Sequence, residues 1–237
     1  MKIFCIGYNK SGTTSVYESF IDLGFRGHNN TMVWGEGVMP YIASGNFNKL
    51  YDWLELFKDI TVFKDVPLSI PNVWKEIYKK YPDAKYVLSE RDSSEQWYNS
   101  IFNFHRLVFS LSDTPSWGEV FKIKHTYSAD TIIEGDQRKS KKGGFLYDYM
   151  KYTYHNSNIV SPLPYDKDKL IHSYDSHNKE VKEFFKDKDN FISVNVSNDN
   201  DYIRLSNFLG KKPIGNKFPK YNTTRKVTRG YFMGEKI

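Results

Sequence analysis

Short apolar runs alternate along this chain with longer stretches whose apolar positions recur every three or four residues. Four runs have the length and composition of strands: Lys2-Ile3-Phe4-Cys5-Ile6, Ile60-Thr61-Val62-Phe63, Lys85-Tyr86-Val87-Leu88-Ser89, and Phe191 to Val196. Helical spacing follows in residues 15–23, where Val16, Phe20 and Leu23 fall on one face, and in 70–80, 93–104, 176–185 and 200–209. Punctuation agrees with these bounds. Gly24 and Gly210 stop the first and last helices, Pro82 marks the turn before residue 85, and Ser93 with Gln96 offers a capping box. Strands alternating with helices predict an α/β protein, with a parallel sheet flanked by helices on both faces. Ligands of such sheets sit at the carboxyl ends of the strands.

The 237 residues suit a single domain spanning 1–237, large enough for one core. Residues 105–165 are less regular, with Pro115, Gly118, Gly135, Pro162 and Pro164, and are expected on the acceptor side of the site. The basic stretch 136–144 reads as a solvated loop, with a mobile lid as the second reading. An aromatic content of 17% and a hydrophobic content of 39% indicate a packed chain, and no run is long enough to span a membrane. Met1 leads almost directly into the first strand, so a cytoplasmic chain without a leader is expected. The single cysteine, Cys5, lies in an apolar strand; it fits packing and a reducing compartment. A net charge of +6 favours an anionic ligand, but 28 carboxylates disperse it, and nucleic acid is not an expected partner.

The first strand leads into Gly7 and then Gly12-Thr13-Thr14-Ser15 at a helix start. Unpaired N–H groups, hydroxyls and the helix dipole there suit a phosphate. The unit of strand, glycine loop and helix is P-loop nucleotide hydrolase-like. A triphosphatase loop carries lysine directly after its second glycine, yet Thr13 occupies that position and the only loop lysine is Lys10, two residues before Gly12. The plainer alternative is a tight turn needing glycine for geometry and hydroxyls for capping. Two further strand ends carry chemistry. Asp65 lies just past the second strand and is a candidate general base. Arg91 follows the third strand, and its guanidinium has the forked donors that grip phosphate. The competing readings are a turn aspartate before Pro67 and a surface arginine paired with Asp92 or Glu95.

The run Lys10-Ser11-Gly12-Thr13-Thr14 resembles the 5′-phosphosulfate loop of the sulfotransferases, which use 3′-phosphoadenosine 5′-phosphosulfate (PAPS) as donor. The stretch from Tyr81 through Arg91-Asp92 to Trp97 and Ser100 is similar to the family segment whose arginine and helix serine hold the donor's 3′-phosphate. The serine position falls between Asn99 and Ser100, and Ser100 is favoured. Segments 23–28, 174–185 and 207–222 resemble further recurring sulfotransferase motifs and bring in His28 and His177. Where the cytosolic enzymes have a catalytic histidine two residues before a proline, this chain has Asp65; a branch with an acidic residue there is a closer likeness. The resemblance implies PAPS as cosubstrate, 3′,5′-adenosine bisphosphate as product, and no metal. It assigns Lys10, Asp65 and His28 to catalysis, with His28 the alternative base. Lys10, Ser11, Gly12, Thr13, Thr14, Ser15, Arg91 and Ser100 would bind the donor. The acceptor would be a small molecule or glycan bearing a hydroxyl or amine. Arg225 and Arg229 are a weak match to a family 3′-phosphate element. Trp97 reads as core, with adenine stacking as the other possibility. The rival functions are a P-loop kinase or nucleotide hydrolase, and a non-catalytic nucleotide-binding protein of the same fold.

Overall fold

The computed structural model describes residues 1–27, 39, 41–42, 44–123, 145–155, 161–219, 231–232 and 235–236. Among these, β1 (Ile3–Cys5), β2 (Val62–Phe63), β3 (Lys85–Glu90) and β4 (Phe191–Asn195) form one sheet in the order β2-β1-β3-β4. Every pairing is parallel, with Ile3 opposite Val62, Phe4 opposite Tyr86 and Val87 opposite Ile192. Eight helices are described: α1 (Thr13–Asp22), α2 (Asn48–Leu56), α3 (Val73–Lys80), α4 (Ser94–Val108), α5 (Trp117–Lys122), α6 (Phe145–Tyr154), α7 (Lys167–Phe185) and α8 (Asp199–Phe208). Two short strands, β5 (Tyr231–Phe232) and β6 (Glu235–Lys236), pair antiparallel.

The alternation of side chains along each strand divides the core in two. Phe4, Phe63, Tyr86 and Leu88 point to one face, where α2, α3, α4 and α7 cover them. Ile3, Cys5, Val62, Val87 and Val194 point to the other, beneath α1 and α8. Strands buried on both faces explain why the sequence shows near-continuous apolar runs instead of alternation. The first face is an aromatic seam. Phe4 stacks on Phe63 and Tyr86 at 5.3 and 5.6 Å, Tyr86 meets Phe185 at 5.0 Å, and Phe185 stacks on Phe191 at 4.8 Å.

The expected strands and the five expected helices are all present. The capping box at Ser93 is half formed: its Oγ accepts the Gln96 N–H at 3.1 Å, while the Gln96 side chain turns to Asp92. Both α1 and α8 close with paired bonds, Gly24 N–H to Ile21 O with Phe25 N–H to Phe20 O, and Gly210 N–H to Asn207 O with Lys211 N–H to Ser206 O. Three helices went unread. In α2 the buried Leu50, Trp53 and Leu54 mark a narrow apolar face on a polar helix, and α5 and α6 lie in the stretch expected to be irregular. Helix α7 also begins at Lys167, well before the expected 176, because Asp166 caps it by accepting the Lys169 N–H at 3.2 Å. Its first turns are polar and bury only Leu170 and Tyr174. No described helix is long and apolar enough to cross a membrane. His28, the 136–144 stretch and Arg225 and Arg229 lie outside the described residues.

Phe185 joins α7 to the aromatic packing of two strands, through Tyr86 and Phe191, so Phe185→Ala should cost about 3–5 kcal/mol of stability. Urea denaturation should show this as a lowered midpoint with unchanged slope; a midpoint matching the parent would mean the seam is not a load on the fold.

Candidate functional site

The chain leaves β1 toward β2 on one side and later returns to β3 on the other, so a crevice opens between the carboxyl ends of β1 and β3. Into it project the loop after β1, the residues after β2, and those after β3. The loop is braced from below. Ser11 is fully buried, and its Oγ donates to the Tyr8 carbonyl and meets Ser89 Oγ on β3, each at 2.6 Å. Its backbone N–H also returns to Tyr8 O at 3.1 Å. Ser11, expected as a ligand residue, is therefore occupied in shaping the loop.

Gly12 caps α1 with φ 105°, a left-handed conformation that favours glycine. A Cβ there would lie 2.7 Å from Val196 Cγ2, so β4's carboxyl end closes one side of the loop. The N–H groups of Thr13, Thr14 and Ser15 belong to the first turn, where no intrahelical acceptor exists, and the helix dipole adds positive potential. This cradle fits a phosphate or sulfate-like anion.

Lys10 also has positive φ, 68°, and its Nζ lies 3.7 Å from the Phe104 ring centroid. Burial, then the Arg91 charge, lower its pKa to about 8; Asp65 opposes the shift and Lys64 adds to it. The same ammonium acts with burial to push His105 down to about 3. Arg91 Nε donates to the Lys10 carbonyl at 2.8 Å, and its backbone N–H donates to the Tyr174 hydroxyl at 3.0 Å. The surface-pair reading of Arg91 fails on its proposed partners. Asp92 instead accepts from Asn195 at 2.7 Å and Gln96 at 2.8 Å, and Glu95 pairs with Lys167 at 2.6 Å.

Asp65 is 6% exposed. Its Oδ1 accepts from Thr13 Oγ1 at 2.7 Å and its Oδ2 pairs with Lys64 Nζ at 3.1 Å. It too has positive φ, 59°, so Lys10 and Asp65 are two of the four non-glycine residues so placed among those described. The structure thus brings together Lys10, Gly12, Thr13, Asp65 and Arg91. Ser100 is half-buried on α4, three residues after Trp97 and four before Phe104 and so on their side of the helix, while Asn99 is exposed. Trp97 is core: its Nε1 donates to Asn9 O at 2.9 Å and its ring stacks on Tyr174 at 4.5 Å. His177 is also structural. It hydrogen-bonds the Ile6 carbonyl through Nε2 at 2.8 Å, stacks on Tyr8, and burial lowers it to about 4. Sequence reasoning passed over Lys64, although it stands directly before Asp65 at the same strand end, and Val196 and Tyr174, which only the fold brings near.

Lys64 pairs with Asp65, and Lys10 feels both Asp65 and Arg91, around the helix N-terminus. This is an α/β protein of the P-loop type whose site suits a polyanionic group beside a carboxylate. A sulfotransferase domain matches residues 2–227, nearly the whole chain, and the protein belongs to that family. No curated protein matches it.

The αL backbone at Gly12 makes Gly12→Ala cost about 1–3 kcal/mol through φ alone, and the Val196 contact should add to it. Pairing it with Val196→Ala should recover the steric part only. Denaturant midpoints of the parent, both single variants and the double variant separate the two contributions; a Gly12→Ala midpoint equal to the parent's would mean the loop does not take this form.

Proposed function

We propose that the protein transfers a sulfuryl group from PAPS to a hydroxyl or amine of a small-molecule or glycan acceptor. The observation that carries this reading is the 2.8 Å bond from Arg91 Nε to the Lys10 carbonyl. It ties a forked phosphate-binding cation to the loop that cradles an anion, which is the arrangement a donor with separate 5′ and 3′ phosphates requires. PAPS supplies an already activated sulfuryl group on a good leaving group.

The residues then divide the work. The first-turn N–H groups of Thr13, Thr14 and Ser15 hold the 5′-phosphate, while Arg91 and Ser100 hold the 3′-phosphate. Lys10 neutralises charge as the sulfur–oxygen bond to the bisphosphate breaks. Asp65 takes the proton of the acceptor as the new sulfur–oxygen bond forms. Thr13 and Lys64 orient that carboxylate, one on each oxygen. In a kinase-like loop the residue after Gly12 would be a lysine reaching phosphate; here it is a threonine turned onto Asp65, which speaks against that rival.

Calorimetric titration should find tight binding of 3′,5′-adenosine bisphosphate and negligible binding of Mg-ATP, with Lys10→Ala and Arg91→Ala each weakening the bisphosphate by tenfold or more, on the order of 1.5–3 kcal/mol for a charged hydrogen bond. Preference for Mg-ATP would replace this reading with the kinase one. The pH dependence has a fixed sign. Lys10 is protonated in the free protein below about 8, and a bound anion favours the protonated form, so affinity should fall as pH rises through 8 and above. Lys10→Ala should flatten that fall; an identical pH profile in the variant would remove Lys10 from the donor site.

Asp65→Asn should lower turnover by about 10²–10⁴-fold once an acceptor is identified, the range for a lost general base. If His28→Ala carries that loss and Asp65→Asn does not, the base is His28.

A further inference from the structure

Tyr174 stands on α7, 83 residues from Arg91 in sequence, and is 2% exposed. It touches both walls of the site at one remove. Its hydroxyl accepts the Arg91 backbone N–H at 3.0 Å, and its ring lies on the Trp97 indole at 4.5 Å with the planes 12° apart. The indole in turn donates to the Asn9 carbonyl at 2.9 Å, and the next residue's carbonyl, Lys10 O, accepts from Arg91 Nε at 2.8 Å. The contacts close into a ring: Arg91, Tyr174, Trp97, Asn9, Lys10 and back to Arg91.

Such a ring fixes the guanidinium. With Nε spent on the loop and the backbone N–H held by the phenol, the guanidinium keeps its two terminal nitrogens as the donors for a ligand. The phenol keeps a proton of its own to donate. Asn178, one turn along α7, lies within reach of that hydroxyl, and its Oδ1 is buried without a hydrogen-bond partner.

We infer that Tyr174 is the positioning residue that aims the Arg91 fork at the donor's 3′-phosphate, and so sets the preference for a 3′-phosphorylated nucleotide over one without it. The inference rests on the donor reading proposed above. Tyr174 does not touch the nucleotide; it acts through Arg91.

Removing only the hydroxyl tests this, because Tyr174→Phe keeps the ring stacked on Trp97. Titration with 3′,5′-adenosine bisphosphate and with AMP, which lacks the 3′-phosphate, reads the preference directly. Tyr174→Phe should weaken bisphosphate binding by roughly five- to tenfold, the equivalent of one hydrogen bond, while AMP changes by less than about twofold. In the Arg91→Ala background the same substitution should have no further effect on the preference. Equal weakening of both ligands would make Tyr174 a packing residue and overturn the inference, as would an unchanged preference. Should Tyr174→Phe fail to fold, Asn178→Ala must show the same selective loss in smaller degree, and its absence would also overturn the inference. A parent protein with no preference for the bisphosphate over AMP would instead defeat the donor reading itself.

Discussion

The site depends on how closely the loop after β1 can approach the strands beside it. A Cβ at Gly7 would lie 2.3 Å from Ser89 Oγ and 2.9 Å from Ser11 Oγ, so the backbone passes over β3 with no room for a side chain. That closeness lets Ser11 and Ser89 share a hydrogen bond, which turns the chain upward into Gly12. On the far side Val196 rests against Gly12. A loop gripped by two strands in this way keeps its first-turn N–H groups fixed before any anion arrives, so binding does not have to order them.

The same crowding sets the electrostatics. Burial disfavours the Lys10 ammonium, and the Arg91 and Lys64 charges both act on it in the same direction. Cations held together without a matching number of carboxylates are costly to the free protein. An anion relieves that cost, and its binding energy includes the repulsion it removes. Asp65 is the exception in the cluster. It accepts from Thr13 and pairs with Lys64, so it offsets one cation of the group directly and favours the Lys10 ammonium at longer range.

Much of this was legible in the sequence where the information is local. The strand, the two glycines and the hydroxyl-rich helix start lie within a few residues of one another, and Arg91 directly follows an unmistakable strand. The helices were read where their apolar face is broad, as in α4, and missed where it is narrow, as in α2, or interrupted by polar turns, as at the start of α7. Tyr174 was out of reach for a different reason. Its role exists only because α7 crosses α4 and packs the phenol on Trp97, and no spacing within either helix announces that meeting. Arg91 could be suspected of pairing with Asp92 or Glu95 from sequence; only the fold reveals that Asn195, Gln96 and Lys167 take those carboxylates.

The displaced lysine then follows from the way the loop meets Asp65. The residue after Gly12 begins α1 with its side chain turned inward, 4% exposed, within 2.7 Å of the Asp65 carboxylate. A lysine there would add a second cation to Lys64, which already pairs with Asp65 Oδ2, and would take Oδ1 as well. A threonine in that position orients the carboxylate with a neutral hydrogen bond and leaves its charge intact. The cation must therefore come from elsewhere on the loop. Lys10 supplies it from before Gly12, where φ is positive and the ammonium lies across the Phe104 ring. There the ring face steadies the ammonium without neutralising it. Thr13 after the glycine and lysine before it are thus two parts of one arrangement, in which Asp65 takes its ion pair from Lys64 while the loop's own ammonium rests on an aromatic face.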